Sequence, residues 1–172
     1  IATGYPRFDN MLRGMTKGTL TILASAPSLG KTAFALNIVH NLTKQTPETG
    51  IFFCSDLSNT ELTFRLLIIA SGVKNSYDTD YQNDDVKLLT ASVNKLKDYP
   101  LYFEEHSGFD EAMLATIKGL HAEQNFDLLI ADNVRPDECL KLKELAKELD
   151  IAGSVGNTSD GVRIEVQGPP EQ

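Results

Sequence analysis

The chain has no tryptophan, three histidines and only two cysteines, Cys54 and Cys139, which lie far apart in unlike contexts. That spacing supports neither a metal knuckle nor a disulfide framework, so both are expected to act as small buried hydrophobes. No apolar run approaches the ~20 residues that cross a bilayer, and no basic-then-apolar leader opens the chain. A cytoplasmic protein without membrane attachment is therefore expected. Positive charge is also scarce, with 16 Lys and Arg against 24 Asp and Glu, a net charge of −8. A basic face is the usual footprint of a protein that grips nucleic acid with its whole surface. The charge balance argues against such a grip, but not against a local basic loop or loops contributed by several subunits. There is no internal repeat and no low-complexity tract. What remains, 172 residues of which 41% are hydrophobic and 23% charged, suits one domain with a substantial core and is too short for two.

One stretch organises the rest: Leu20 to Ile38, LTILASAPSLGKTAFALNI. An apolar, β-branched run ending at Ala24 is followed by a small-residue loop, then by an apolar helical pattern starting near Lys31. Strand, loop and helix in that order turn backbone N–H groups and a positive helix end toward one point, where a polyphosphate can sit. The candidate nucleotide-binding residues are Ser25, Ala26, Pro27, Ser28, Leu29, Gly30, Lys31, Thr32 and Ala33. Lys31 is placed to reach the β- and γ-phosphates of ATP as a catalytic cation, and the Thr32 hydroxyl to hold Mg²⁺. The strict pattern G-x-x-x-x-G-K-[ST] has glycine where this chain has Ser25. The flanking strand and helix carry the assignment.

Along the chain, a short helix is expected from Phe8 to Leu12 with Gly14 as a left-handed cap, then a strand from Thr19 to Ala24. Phe34, Ala35, Ile38, Val39 and Leu42 form a helical apolar stripe, and Thr43 to Gly50 reads as surface loop. Ile51 to Ser55 is a buried strand. Ser58 with Glu61 three residues on predicts a capping box for a helix that Gly72 stops. Asn75 to Asp85 reads as loop, Asp84 to Lys97 as an amphipathic helix on Val86, Leu89, Val93 and Leu96, and Leu101 to Phe103 as a strand. A helix capped by Ser107 and Asp110 runs to Glu123, and Asp127 to Asp132 is a fourth strand. Asp137 to Leu149 is a helix with Leu140 among its apolar residues. A fifth strand starts at Ile151 and stops after three residues, Ser154 to Gly161 is turn material, and Val162 to Val166 is a strand. Alternating strands and helices predict an α/β fold, a mainly parallel sheet with helices on both faces, whose ligands sit at the carboxyl ends of the strands.

Two carboxylates stand at such ends. Asp132 follows an apolar strand, as the Mg²⁺-holding acid of a phosphate-loop NTPase does. Asp56 ends the strand after the loop's helix, where a carboxylate can act as general base toward the attacking water. An acid that flanks a helix start is equally favourable by dipole alone, and the residues leave both roles open. His106, His40 and His121 are assigned no metal. Arg65 is expected in a structural ion pair, and Lys141, Lys143 and Lys147 on a solvated helix face.

Taken together, Thr3-Gly4, Asp9, Gly14 and Gly18 followed by SAPSLGKTAFALNI resemble the carboxy-terminal motor domain of DnaB-type replicative helicases. FFCSDLSNTELTFRLL is similar to the segment bearing that family's catalytic glutamate, with Asp56 at its position. DLLIAD resembles the Mg²⁺-binding strand, ECLKLKELAKELDI the helix after it, and VGNTSDGVRIEV the last strand pair. The resemblance implies a RecA-like phosphate-loop NTPase fold over residues 1–172 and a small residue where Ser25 stands. It implies ATP and Mg²⁺ as cofactors, and hydrolysis at subunit interfaces of a homo-hexamer that translocates on single-stranded DNA and unwinds duplex. Primase and a helicase loader are the implied partners. Segments that the family carries after Val134 and after Gly153, holding DNA-contacting loops and an arginine finger, are expected to be missing from the sequence. Another RecA-like ATPase, a recombinase or clock-type regulator, and a non-catalytic nucleotide-binding module are the competing readings. A forked-duplex unwinding assay separates the helicase from the other RecA-like ATPases.

Overall fold

The computed structural model describes residues 1–25, 28–47, 49–74 and 82–157. Ala26 and Pro27 of the loop, residues 75–81 of the polar stretch and the expected strand Val162 to Val166 lie outside the described residues, as do the side chains of Cys54 and of residues 155–157. The elements are α1 (Pro6–Leu12), β1 (Leu20–Ala24), α2 (Lys31–Gln45), β2 (Ile51–Ser55), α3 (Asn59–Ser71), α4 (Asn83–Leu96), β3 (Leu101–Glu105), α5 (Glu111–Gln124), β4 (Leu128–Ala131), α6 (Pro136–Glu148) and β5 (Ala152–Asn157).

Five parallel strands form one sheet in the order β1-β5-β4-β2-β3, with β1 at an edge among the described residues. Period-two alternation sends Phe52 and Leu129 to one face and Ile51, Phe53, Leu128 and Ile130 to the other. On the first face they meet Ile117 of α5 and Cys139, Leu142, Leu145 and Ala146 of α6. On the second they meet Leu36, Val39 and Leu42 of α2 and Leu62 and Leu66 of α3. All four residues of β4 are buried. This is the expected α/β architecture covered on both faces, and it directs every strand's carboxyl end to one side.

Local signals set most boundaries. Pro6 occupies the first turn of α1, where its missing N–H costs nothing. Ser58 Oγ accepts from Glu61 N at 3.2 Å, half of the expected capping box. The Glu61 carboxylate turns instead to Arg65, 2.5 Å away, which is the structural pair foreseen for that arginine. Asp110 rather than Ser107 caps α5, accepting from Met113 N at 2.9 Å.

Four expectations need correction. α2 continues to Gln45 instead of yielding to loop at Thr43, because Thr43 satisfies its hydroxyl on His40 O at 2.7 Å and nothing breaks the helix before Pro47. Pro47 disfavours helical backbone at Thr46, where the helix stops. The fifth strand does not end at Gly153: β5 runs on to Asn157, since β1 and β4 offer it a ladder on either side. Gly153 suits this position, as a Cβ there would lie 2.8 Å from Leu20 Cδ1. Leu140 is 69% exposed, because α6 spends its inward stripe on Cys139, Leu142 and Leu145. In α4, Val86 and Val93 are exposed although the pattern placed them inward, and Ser92 is the buried residue.

Burial creates one pH-sensitive point in α2. His40 Nδ1 is buried without a hydrogen-bond partner, and burial first, then Lys44 and Lys95, push its pKa below the ordinary 6.5. His106 shifts the same way, chiefly through burial. A pKa lowered in the fold means that, as pH falls below 6.5, the unfolded chain takes up protons that the folded chain resists, so stability is lost on acidification. Thermal melting should drop by a few degrees between about pH 7.5 and about pH 5.5. In His40→Leu the drop should be roughly halved, as seen by circular dichroism.

Candidate functional site

β1 ends at Ala24, and the chain passes through Ser25 and residues 28–30 into α2. Gly30, at φ 83°, makes a left-handed entry into the helix that a Cβ would strain. Among the described residues no side chain caps this helix start, and the positive helix end favours an anion there electrostatically. Lys31 is 7% exposed, and its ammonium donates to Ser25 O at 3.0 Å and Ser25 Oγ at 3.1 Å. The cation is thus held within the loop rather than in solvent.

Thr32 Oγ1 donates to Asp132 Oδ2 at 2.5 Å, joining the first turn of α2 to the residue that follows β4. Asp132 is 5% exposed. Burial raises its pKa, opposed by the Thr32 hydroxyl, the Asn133 amide and Lys31. A hydroxyl and a carboxylate held together in a dry setting form an all-oxygen pair, the donor type that suits Mg²⁺.

Asp56 follows β2 and is exposed. Its Oδ2 accepts from Asn133 Nδ2 at 2.7 Å, while Ser55 Oγ lies at 3.4 Å from Oδ1. His106, just after β3, donates its backbone N–H to Ser55 O at 2.9 Å and sets Nε2 3.2 Å from the Asp132 carbonyl. Its ring lies on Phe109 with centroids 4.3 Å apart. Burial leads the lowering of its pKa, opposed by that carbonyl and by Asp56, Glu138 and Asp132.

Of the residues expected at the site, Lys31 therefore pairs with Ser25 and its neighbour Thr32 with Asp132, and Asn133, next to Asp132, reaches Asp56. Ser28, Leu29, Gly30 and Ala33 lie along the loop and the helix start; Ser28 is left-handed at φ 61°. Two contributors escaped the sequence. Asn133 stands next to an acid already singled out and is left-handed at φ 57°, a conformation that Asn tolerates. Glu138 is 2% exposed and accepts from Phe109 N, Arg135 N and Arg135 Nη2 at 2.9, 2.9 and 2.7 Å. It ties the segment after β3 to the start of α6. Its signal was a glutamate in the first turn after Pro136, a capping position.

A family profile described as the DnaB-like helicase C-terminal domain matches residues 1–136. The chain is 28% identical over 170 residues to the replicative DNA helicase DnaB of Geobacillus stearothermophilus, covering 88% of this chain and 37% of that protein. It is also 28% identical over 135 residues to the replicative DNA helicase DnaC of Bacillus subtilis (strain 168), covering 77% and 30%. The chain thus spans about a third of the length of these relatives. Among solved structures, a DnaB-like replicative helicase, described with its interactions with primase, superposes with a TM-score of 0.78 at 17% identity, covering 92% of this chain and 44% of that one. A second solved structure, described as an ATPase domain, gives 0.77 at 18% identity, covering 92% and 63%. The fold is that of these RecA-like ATPase domains.

The buried Glu138 makes a stability test. Glu138→Ala leaves two backbone N–H groups without their carboxylate and should cost about 3 kcal/mol. Urea denaturation of the two proteins measures the loss.

Proposed function

The chain belongs to the DnaB-like helicase C-terminal domain family, and from that premise we propose that it is the ATP-hydrolysing motor of a replicative DNA helicase. The observation that carries the reading is that, of two consecutive residues at the start of α2, Lys31 bonds back to Ser25 after β1 and Thr32 bonds across to Asp132 after β4. In this reading the loop's N–H groups and Lys31 bind the β- and γ-phosphates of ATP. Thr32 and Asp132 would hold Mg²⁺, which would supply a Lewis acid toward the phosphate oxygens. Asp56 accepts the proton of the attacking water at its carboxylate.

Asp132 is already desolvated and raised in pKa, so a cation beside it is favoured over bare charge. Lys31 leaves Ser25 to meet the nucleotide, exchanging two hydrogen bonds for contacts with phosphate. The wider function we propose is the one the family resemblance implies: a homo-hexamer, acting in the cytoplasm, that hydrolyses ATP at subunit interfaces and moves along single-stranded DNA, with primase and a loader as partners. The described residues contain no helix long and apolar enough to cross a membrane. The DNA-contacting loops are proposed to belong between Val134 and Arg135 and between Gly153 and Ser154. In the structure the first of these points lies in the short connection from β4 to α6, and the second inside β5.

The full-length protein should hydrolyse Mg-ATP faster when single-stranded DNA is added. Binding of Mg-ATP without hydrolysis would instead favour the non-catalytic module. Lys31→Ala should weaken binding of a fluorescent ATP analogue by at least about tenfold. Asp56→Ala should keep that binding and lower kcat about a hundredfold.

A further inference from the structure

Asp56, unlike the buried Asp132, is exposed. It lies at the exposed turn between β2 and α3, and Ser55 Oγ, at 3.4 Å, is too distant to fix its carboxylate firmly. A proton acceptor must be held to within a fraction of an ångström to act on a bound water. The short contact available is the 2.7 Å hydrogen bond from Asn133 Nδ2. Asn133 directly follows Asp132, whose carboxylate is bound to Thr32. Two consecutive residues after one buried strand therefore address the two halves of the site, the first the helix after the phosphate loop, the second the carboxylate beyond β2. The left-handed backbone of Asn133, φ 57°, is the turn that separates them.

We propose that Asn133 is a positioning residue for Asp56, holding its carboxylate in register with the phosphate loop through the amide hydrogen bond. This inference rests on the reading of Asp56 as the proton acceptor. It also gives the aspartate a local partner. The shorter side chain reaches Asn133, and the carboxylate gains a fixed place that the exposed loop alone does not give it.

The test uses the full-length protein with Asn133→Gly, which removes the amide and keeps a residue at ease in the left-handed backbone. Steady-state hydrolysis of Mg-ATP should show kcat lowered about tenfold. KM and the affinity for a fluorescent ADP analogue should stay within about twofold of the unaltered protein, a split that general loosening of the fold would not give. Asn133→Ser, whose donor is too short to reach Asp56, should give the same split and guards against a folding defect in the glycine variant. In an Asp56→Asn background, Asn133→Gly should lower kcat no further. Unchanged kcat in both Asn133 variants, an equal added loss in the Asp56→Asn background, or weakened nucleotide affinity would each overturn the positioning role. Absence of turnover in the unaltered protein would overturn the hydrolase reading together with it, whereas turnover insensitive to Asn133 overturns this inference alone.

Discussion

The hydrogen bond from Thr32 to Asp132 is the constraint on which the rest of the site depends. Its donor sits in the first turn of α2 and its acceptor at the end of β4, 100 residues apart in sequence. Both ends are set by burial rather than by the bond itself. α2 is anchored by Leu36, Val39 and Leu42, and β4 is enclosed on both faces. A polar contact between two such rigid supports loses little conformational entropy when it forms.

The other contacts radiate from β4. Asn133 reaches Asp56 after β2, and the Asp132 carbonyl receives the His106 ring after β3. Glu138 then fastens Phe109 to the start of α6. Three strand ends are thereby linked by side chains from one short segment, residues 132 to 138. Much of the charge here is buried, and each carboxylate has a donor, as burial of ionised groups requires.

The parts of this arrangement that depend on local pattern were legible in the sequence. Strand, loop and helix around Gly30-Lys31-Thr32, the cap at Ser58, and the acid after an apolar strand at Asp132 all announce themselves within a few residues. The fold class followed from the alternation of apolar runs with helical stripes. What depends on distant neighbours was not legible. The residues of β5 from Ser154 on read as a turn, yet they continue the strand begun before them because two others flank it. Val86, Val93 and Leu140 obey a helical pattern, but the supporting surface does not extend beneath them. Asn133 carries no motif, since its role depends on where Asp56 lies, 77 residues away. The similarity to replicative helicases spans about a third of their length.

The strand order carries a mechanical consequence. β1, which leads into the loop before α2, and β4, which leads to Asp132, are not neighbours; β5 lies between them. With strands spaced about 4.8 Å apart, the two elements stand roughly 10 Å from each other, and among the described residues β1 is laddered to β5 alone. β5, which includes the small residues Ala152, Gly153 and Ser154, is therefore the spacer between these two elements. The hydrogen bond from Thr32 to Asp132 therefore closes a span that crosses over β5, tying the helix after β1 to the residue after β4.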